Sequence, residues 1–334
     1  MEINFVDVGL GSCQIIHLGD QSAIVIDCGL KSDHIALQFL KKLGIVTIRR
    51  LITSHSDNDH TGGAVSILDA YQDNIEQILA VQDHKWLETK YWQRIDYFIR
   101  KGVLMGKNVK RLEIESTAKQ VWGKTKDSRL RLFSPSFIEN QKAQVDETAN
   151  GTSAVLVLDH HGHRVVFAGD SELPQWKEIL DRRKQKSLDC DVLTVSHHGG
   201  LTDATVSELD WLYAKAISAK FAVLSVGTRQ NPKHPRPEIV ARLLSNGAKV
   251  LCTQLTNQCH DNPSLLHPAV LTPLAPFGRS ADDAARGQRS CIGCAGTIVA
   301  TISNTGCNIS RLREHQSAVD KLANDPAGHP LCRN

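Results

Sequence analysis

Residues 53–63 place two histidines and two carboxylates within six positions, in the order His55, Asp57, Asp59 and His60. They follow a short apolar segment typical of a strand and precede a Gly-Gly turn. In a loop after a strand, this spacing can direct four donors at one small volume. Mixed nitrogen and oxygen donors suit zinc, manganese or iron(II). Ser, Asp and Asn are also common turn residues, so the segment alone leaves a polar surface loop as the alternative.

The elements around this loop indicate where its partners lie. Strands are predicted near the N-terminus, and a short strand over residues 50–54 leads into His55. Further on, one predicted strand ends in Asp170 and another in the pair His197 and His198, with helices between the strands. Because polar clusters repeatedly follow strand ends, the pattern predicts a layered α/β fold with one site at that edge.

Length and composition set limits on the class of protein. The chain has 334 residues, a net charge of +3 and 41% hydrophobic residues, which is enough for one large domain or two small ones. The N-terminus lacks the features of a signal peptide, and no stretch approaches the roughly 18 apolar residues of a membrane span. We therefore expect a cytoplasmic protein without a membrane segment, in which clustered cysteines bind metal more often than they form disulfides.

The order and spacing of the motifs resemble those of the metallo-β-lactamase superfamily. Within it, the chain resembles the ComEC/Rec2-type branch, the hydrolase domain of the bacterial DNA-uptake channel. The resemblance runs from about residue 3 to 310, and the channel itself has no counterpart, so it implies a stand-alone soluble hydrolase. It rests on the 55–60 loop, Gly169-Asp170 and His197-His198-Gly199, together with Asp7-Val8-Gly9-Leu10-Gly11-Ser12, Ile26-Asp27-Cys28-Gly29, Asn150-Gly151-Thr152-Ser153, Ser225-Val226-Gly227, His234-Pro235 and Cys294-x-Gly296-Thr297-Ile298.

The resemblance implies an α/β fold, a four-layer αββα sandwich, with one or two Zn²⁺ or Mn²⁺ ions at one edge between the sheets. One metal position would be held by Asp59, His60, Asp170 and His197. A second position with fewer ligands would use His55, Asp57 and the bridging Asp170. Asp57 stands where the family usually has a histidine, and the usual third-motif histidine is missing. The extra carboxylate makes manganese a competitor to zinc.

Several roles stay open at this point. Either His197 or His198 could be the ligand, and His197 is preferred, with the other histidine contacting substrate or a neighbouring carboxylate. A metal-activated water is the expected nucleophile, and Asp57 or Asp59 would take its proton. His234 would act as a hydrogen-bond donor or acid, or would simply pack in a Pro-rich loop.

Residues 84–111 give the best indication of the substrate. They carry eight basic residues against two acidic ones, with aromatic residues interleaved, which is typical of single-stranded nucleic acid binding. Helical spacing of the aromatics also fits an amphipathic helix, so we expect them mostly to pack while the basic face flanks the site. The basic residues are Lys85, Lys90, Arg94, Arg100, Lys101, Lys107, Lys110 and Arg111, and the aromatics are Trp86, Tyr91, Trp92, Tyr97 and Phe98.

The leading hypothesis is a metal-dependent phosphodiesterase or nuclease acting on DNA, RNA or a nucleotide. A hydrolase of a small carbonyl compound (a lactone, thioester or lactam) is the alternative enzyme. From another class, the chain could be a metal-binding subunit of low activity whose surface serves a partner protein.

Six of nine cysteines lie in the C-terminal quarter. Cys252, Cys259, Cys291 and Cys294 bracket a long Pro- and Gly-containing loop and predict a structural zinc site there. We expect one hydrolase domain over residues 1–310, with a basic and aromatic insertion at about 84–130 and this zinc-held loop at 252–294. Residues 311–334 are expected to form a polar C-terminal tail.

Overall fold

A computed structural model describes residues 1–30, 34–104, 108–125, 127–200, 204–228, 234–266 and 277–333. The strands are β1 (Glu2–Phe5), β2 (Gln14–His17), β3 (Ser22–Ile26), β4 (Thr47–Thr53), β5 (Ile78–Ala80), β6 (Val109–Arg111), β7 (Lys119–Thr125), β8 (Ser128–Ser134), β9 (Val155–His160), β10 (His163–Phe167), β11 (Cys190–Thr194), β12 (Ala219–Leu224), β13 (Lys249–Cys252), β14 (Ile298–Ser303) and β15 (Gly306–Ile309). They form two mixed sheets.

The helices are α1 (Ile35–Lys42), α2 (Asn58–Thr61), α3 (Ala64–Tyr71), α4 (Lys90–Arg100), α5 (Phe137–Val145), α6 (Leu173–Arg183), α7 (Val206–Asp210), α8 (Pro237–Ser245), α9 (Arg279–Ala285) and α10 (Leu312–Ala323). A π-helical segment, Trp211–Ala216, continues α7. None of the helices in the described ranges is long and apolar enough to cross a membrane.

The first sheet has eight strands in the order β15-β14-β1-β2-β3-β4-β5-β6, and the second has seven in the order β13-β12-β11-β10-β9-β8-β7. Strands β3 to β6 run parallel in the first sheet, and β10 to β13 run parallel in the second. Their carboxyl ends therefore gather polar loops at one edge of each sheet. A backbone hydrogen bond of 2.9 Å from Ala154 N–H to the Ser54 carbonyl joins the two sheets near that edge.

Three apolar clusters define four layers. The middle cluster lies between the sheets, where the rings of Phe5 and Phe167 are 6.4 Å apart. A second cluster packs α1, α3 and α4 on the outer face of the first sheet. The third packs α6, α8 and α10 on the outer face of the second sheet, around Trp176. The predicted αββα sandwich is confirmed.

The C-terminal segment packs against the core and is not a loose tail. Helix α10 lies in the segment expected to be a polar tail, yet it buries Ala318, Val319 and Leu322 in the main apolar cluster. Residues of the predicted zinc-held loop, 267–276, lie outside the described residues, as does Lys107 of the basic stretch. Within what is described, residues 312–323 belong to the sandwich because their apolar face completes its outer layer.

Candidate metal centre

Asp27, which follows β3, braces the loop that carries the first histidines. Its Oδ1 accepts the Ser54 backbone N–H at 2.8 Å. Its Oδ2 accepts the Ser54 hydroxyl at 2.8 Å and faces the Nδ1 of His60 at 2.8 Å. Asp27 is buried, with a left-handed φ of 54° that fits the short turn from β3. One carboxylate thus fixes both the start of the loop and the ring of its last histidine.

Three imidazoles are oriented through Nδ1, which leaves each Nε2 directed at one volume. The Nδ1 of His198 donates to the Ser225 carbonyl at 2.8 Å, and a carbonyl can only accept, so this nitrogen carries the proton. The Nδ1 of His55 lies 3.0 Å from the Ser54 hydroxyl and 3.3 Å from that of Ser153. Such outer hydrogen bonds set the tautomer and angle of metal-binding histidines.

The first group of donors surrounds one oxygen of Asp170. Its Oδ1 lies 3.2 Å from His60 Nε2 and 3.5 Å from His198 Nε2. The two Nε2 atoms are 3.3 Å apart, and His198 Nε2 is 3.4 Å from an oxygen of Asp59. Asp59, His60 and His198 offer ligand atoms that all lie within 4.8 Å of one another.

A second group gathers at the other oxygen of Asp170. Its Oδ2 lies 3.9 Å from His55 Nε2 and 3.9 Å from His197 Nε2. Asp57 approaches His55 Nε2 at 3.7 Å. His55, His60 and Asp170 form the other set of ligand atoms within 4.8 Å. The two oxygens of Asp170 therefore face different groups of donors.

The buried carboxylates of the cluster favour a positive charge between them and the imidazoles. Burial raises the pKa of Asp170, but His60 and His198 outweigh it and hold that pKa well below the ordinary range. Burial lowers the pKa of His60, yet Asp170, Asp27 and Asp59 raise it well above its usual value. Positive charge is thus favoured at the point where two Nε2 atoms meet.

Unpartnered atoms point to the same place. Among the described residues, the buried His55 Nε2 and Asp170 Oδ1 make no hydrogen bond, although burying a polar atom without a partner is costly. A divalent cation between imidazole Nε2 atoms and carboxylates would satisfy both atoms. The residues present therefore fit a metal ion of the zinc or manganese type.

His197 and His198 differ in burial and in how closely each approaches the other donors. His198 joins the buried group with only 5% of its side chain exposed, whereas His197 is 27% exposed and reaches only Asp170. Both residues have left-handed φ values, 51° and 54°, in a short turn after β11. Strand alternation, which would direct two consecutive side chains to opposite faces, does not apply to such a turn. His198 thus lies closer than His197 to the other donors of the first group, and His197 lies beside the second group.

His234 is buried beside this turn. Its ring lies 5.8 Å from that of His197, and its Nδ1 has no hydrogen-bond partner among the described residues. Burial, followed by the nearby His198 and His197, lowers the pKa of His234 to about 4. It is therefore a neutral imidazole at pH 7, suited to donating a hydrogen bond but not to acting as a charged acid.

Asp83 contributes to the site but was not among the residues that the sequence predicted. Asp83, in the loop after β5, accepts the Ser56 backbone N–H at 2.9 Å and the Lys85 backbone N–H at 3.0 Å. The Lys85 ammonium lies 3.2 Å from Asp57 Oδ1. With β5 parallel to β4, a polar residue just past β5 was the available signal for Asp83.

The aromatic residues of the basic stretch mostly pack. Trp86, Tyr91 and Phe98 are buried in the outer apolar cluster, so they offer no surface for stacking bases. Arg94 pairs with Asp69 on the neighbouring helix. Further pairs join Arg100 to Asp96 and Arg111 to Glu113. The positive charge that flanks the site is thus weaker than the residue count suggested.

The predicted structural zinc residues do not all come together. Cys252, Cys259 and Cys294 are buried in the same apolar cluster. Cys291 is half-buried and lies instead near Arg279 and Asp283. None of the nine cysteines forms a disulfide.

Comparison with known proteins places the fold in a family. The model of the metallo-beta-lactamase superfamily matches residues 6–210. Recombination protein 2 of Haemophilus influenzae is 28% identical over 268 residues, which cover 78% of this chain and 29% of that protein. ComE operon protein 3 of Bacillus subtilis is 23% identical over 270 residues, covering 75% of this chain and 32% of that protein. The chain thus spans about a third of the length of these curated relatives.

Solved structures with related folds are distant in sequence. YhfI from Bacillus subtilis, a metallo-beta-lactamase fold protein, is 11% identical with a TM-score of 0.44 and covers 75% of this chain and 96% of its own. Zn²⁺-bound PqqB from Methylobacterium extorquens is 11% identical with a TM-score of 0.44 and covers 75% of this chain and 98% of its own. On the family match, the chain belongs to the metallo-β-lactamase superfamily of metallo-hydrolases, and its curated relatives are competence proteins of the ComEC type.

Proposed function

We propose that the chain is a metal-dependent phosphodiesterase acting on DNA, RNA or a nucleotide. The observation that carries the proposal is the convergence of imidazole Nε2 atoms and carboxylates on Asp170, where His55 Nε2 and Asp170 Oδ1 lack hydrogen-bond partners. Asp59, His60, His198 and Asp170 would hold one ion. His55, Asp57, His197 and the second oxygen of Asp170 would hold another, less firmly.

When bound, the metal supplies an activated water as nucleophile and neutralises charge on the reacting group. The protein keeps the ligands ionised and oriented. His55, followed by Lys85, lowers the pKa of Asp57 to about 2 against the effect of burial. A base with so low a pKa is a weak proton acceptor, so this value favours ligation over proton transfer for Asp57.

The charge at the rim favours a phosphate substrate over a small carbonyl compound. Lys85 is about half exposed and lies beside Asp57, where an anionic group approaching the ions would meet its ammonium. His234, neutral at pH 7, is placed to donate a hydrogen bond near His197. An uncharged lactone or lactam gains less from a rim cation than a phosphodiester does.

A nucleic acid would contact the site through charge more than through stacking. The exposed Lys101 and Lys110 lie in the basic stretch without a salt bridge among the described residues, while Trp86, Tyr91 and Phe98 are buried. Such contacts read the backbone, and their strength falls with rising salt. The relatives' names, Recombination protein 2 and Competence protein ComA, accord with a nucleic acid substrate.

The test is hydrolysis of bis(p-nitrophenyl) phosphate with added Mn²⁺ or Zn²⁺, beside a lactam, a lactone and a thioester. We expect turnover of the phosphodiester by the wild type and its loss in Asp170→Asn, which keeps the shape of the side chain. His161→Gln, at the exposed hairpin tip between β9 and β10, is the control and should keep full activity. Turnover of a carbonyl substrate alone would contradict the phosphodiesterase, and no turnover of any substrate would favour a binding subunit.

Oligonucleotide binding tests separately whether the substrate is a nucleic acid. Binding to single- and double-stranded DNA and RNA oligonucleotides should weaken as salt increases. Lys101→Glu with Lys110→Glu should weaken it further without changing bis(p-nitrophenyl) phosphate turnover. Absent or salt-independent binding would exclude DNA and RNA polymers as the substrate and would leave a small nucleotide as the remaining candidate.

A further inference from the structure

Four cysteines and a histidine meet on the far side of the second sheet, in the outer apolar layer. Cys252 ends β13, and Cys294 is held opposite it, because Ala295 N–H donates to the Cys252 carbonyl at 2.8 Å and Cys294 N–H to that of Thr253 at 3.1 Å. Two distant segments of chain are thus locked side by side with their thiols in one layer.

The C-terminal segment brings the remaining members. His329 N–H donates to the Cys259 carbonyl at 2.8 Å, and residues 260 and 328 form an antiparallel bridge, which carries Cys332 toward the cluster. Helix α10 presents His315 on its buried face. All five side chains belong to residues that are at most 6% exposed.

The sulfur atoms have polar neighbours rather than purely apolar ones. His315 Nε2 lies 3.5 Å from Cys294 Sγ. The Cys332 thiol contacts both Cys294 and His315 through hydrogen bonds. The Cys259 sulfur accepts hydrogen bonds from the Leu331 backbone and the Thr256 hydroxyl. Burial raises the pKa of Cys252 and raises that of Cys259 to about 12, whereas hydrogen bonds to Cys294 and His315 lower the pKa of Cys332. Thiolates at the buried positions therefore need a cation beside them.

We propose that Cys252, Cys259, Cys294 and Cys332 bind a structural zinc-type cation through four thiolates, with His315 hydrogen-bonded to the Cys294 sulfur. Four thiolates around one ion are a standard structural zinc set. In the described part of the chain, no three ligand atoms of this cluster lie within 4.8 Å of one another, so ion binding requires the side chains to move closer together. A cavity of about 210 Å³ lined by His315 and Cys332 gives an ion a way in.

This set replaces Cys291 of the sequence prediction with Cys332. The physical reason is that Cys291 points to Arg279 and Asp283, whereas the C-terminal segment folds back onto Cys259. The site would tie three stretches of chain together at the end of β13 and hold α10 on the sheet. Because thiolates from separated segments converge only in the folded chain, ion binding adds directly to folding stability.

Cobalt loading of the full chain tests the proposal, with Co²⁺ alone as the probe. Thiolate-to-cobalt charge-transfer absorption reports sulfur ligation and is blind to the Asp170 centre, whose donors are nitrogen and oxygen. We expect this absorption in the wild type, its loss by more than half in Cys332→Ser and in Cys294→Ser, and no change in Cys291→Ser or Cys307→Ser. Far-UV circular dichroism of each variant checks folding.

A second measurement needs no cysteine variant. X-ray absorption at the zinc edge of Asp170→Ala, which depletes the other centre, should show a sulfur shell at about 2.3 Å. Absence of thiolate absorption in cobalt-loaded wild type would overturn the proposal, as would loss in Cys291→Ser with retention in Cys332→Ser. An intact mass showing a disulfide in the freshly purified chain would also overturn it.

Discussion

Replacing Asp27 with asparagine tests whether the histidines are oriented from behind, as the structure indicates. The substitution keeps shape and removes one charge. The amide oxygen can still accept the Ser54 N–H, which leaves the NH₂ group facing His60 Nδ1 in place of the carboxylate oxygen at 2.8 Å. His60 must then turn Nδ1 into an acceptor, so its proton moves to Nε2, the atom directed at Asp170.

The expected loss of metal affinity follows from that tautomer change. Loss of such an outer partner weakens metal binding by about 10–100-fold, or about 1.4–2.8 kcal/mol. The ion proposed at Asp59, His60, His198 and Asp170 should be affected most. Because the ligand atoms of His55 and Asp170 lie within 4.8 Å of that of His60, binding at the second position should weaken as well. Chelator competition with Zn²⁺ or Mn²⁺ measures the affinity, and bis(p-nitrophenyl) phosphate turnover should fall in parallel at subsaturating metal and recover in part at high metal.

Asp191→Asn is the matched control. Asp191 is also buried and accepts the Arg164 backbone N–H at 2.9 Å, but it lies at the start of β11, away from the metal centre. It should lower the free energy of unfolding without changing metal affinity. Wild-type affinity in Asp27→Asn, within about twofold, would refute the role assigned to Asp27, and an equal loss in both variants would show a general folding effect.

Other outcomes follow from the same contacts. His198→Ala should weaken metal binding by at least about 10-fold more than His197→Ala in chelator competition, and the reverse order would contradict the ligand assignment. Trp176→Ala, which empties a fully buried site, should lower the free energy of unfolding in urea by about 3–5 kcal/mol, whereas the exposed Phe137→Ala should change it by less than about 0.5 kcal/mol. The pKa of Asp57 is lowered to about 2 from an unfolded value of roughly 3.9, so in metal-free protein its stabilisation is complete above pH ~4 and is lost as the pH falls toward 2. Asp57→Asn should therefore lose less stability than wild type over that interval in urea unfolding, and identical acid profiles would contradict the assignment.

Local spacing predicted that the side chains of residues 55–60 lie close together, as they do in the structure. His55 and Asp57 follow β4, and Asp59 and His60 lie in the short helix α2 directly after them, so the approach of these four residues is set by a few backbone angles. Asp170 could be added because it follows a strand, and parallel strands bring their carboxyl ends to one edge. The sandwich itself followed from alternating strands and helices together with the motif order.

Long-range geometry accounts for what the sequence missed. The choice between His197 and His198 depends on two left-handed residues in a turn, which no side-chain period encodes. The Nδ1 of His198 donates to the backbone carbonyl of Ser225. Because every residue has a backbone carbonyl, the sequence does not show which residue is the partner. Cys332 joins its cluster because the chain end folds back onto Cys259, a contact that requires the tertiary structure.

Metal content, measured together with phosphodiester hydrolysis in wild type and Asp170→Ala, tests the central claim most directly. Asp170 faces both groups of donors, so its removal should abolish hydrolysis and release every ion bound by nitrogen and oxygen ligands. Thiolate-bound metal at the cysteine cluster should remain. Equal hydrolysis and equal nitrogen- and oxygen-bound metal in the two proteins would contradict a metal centre built on Asp170.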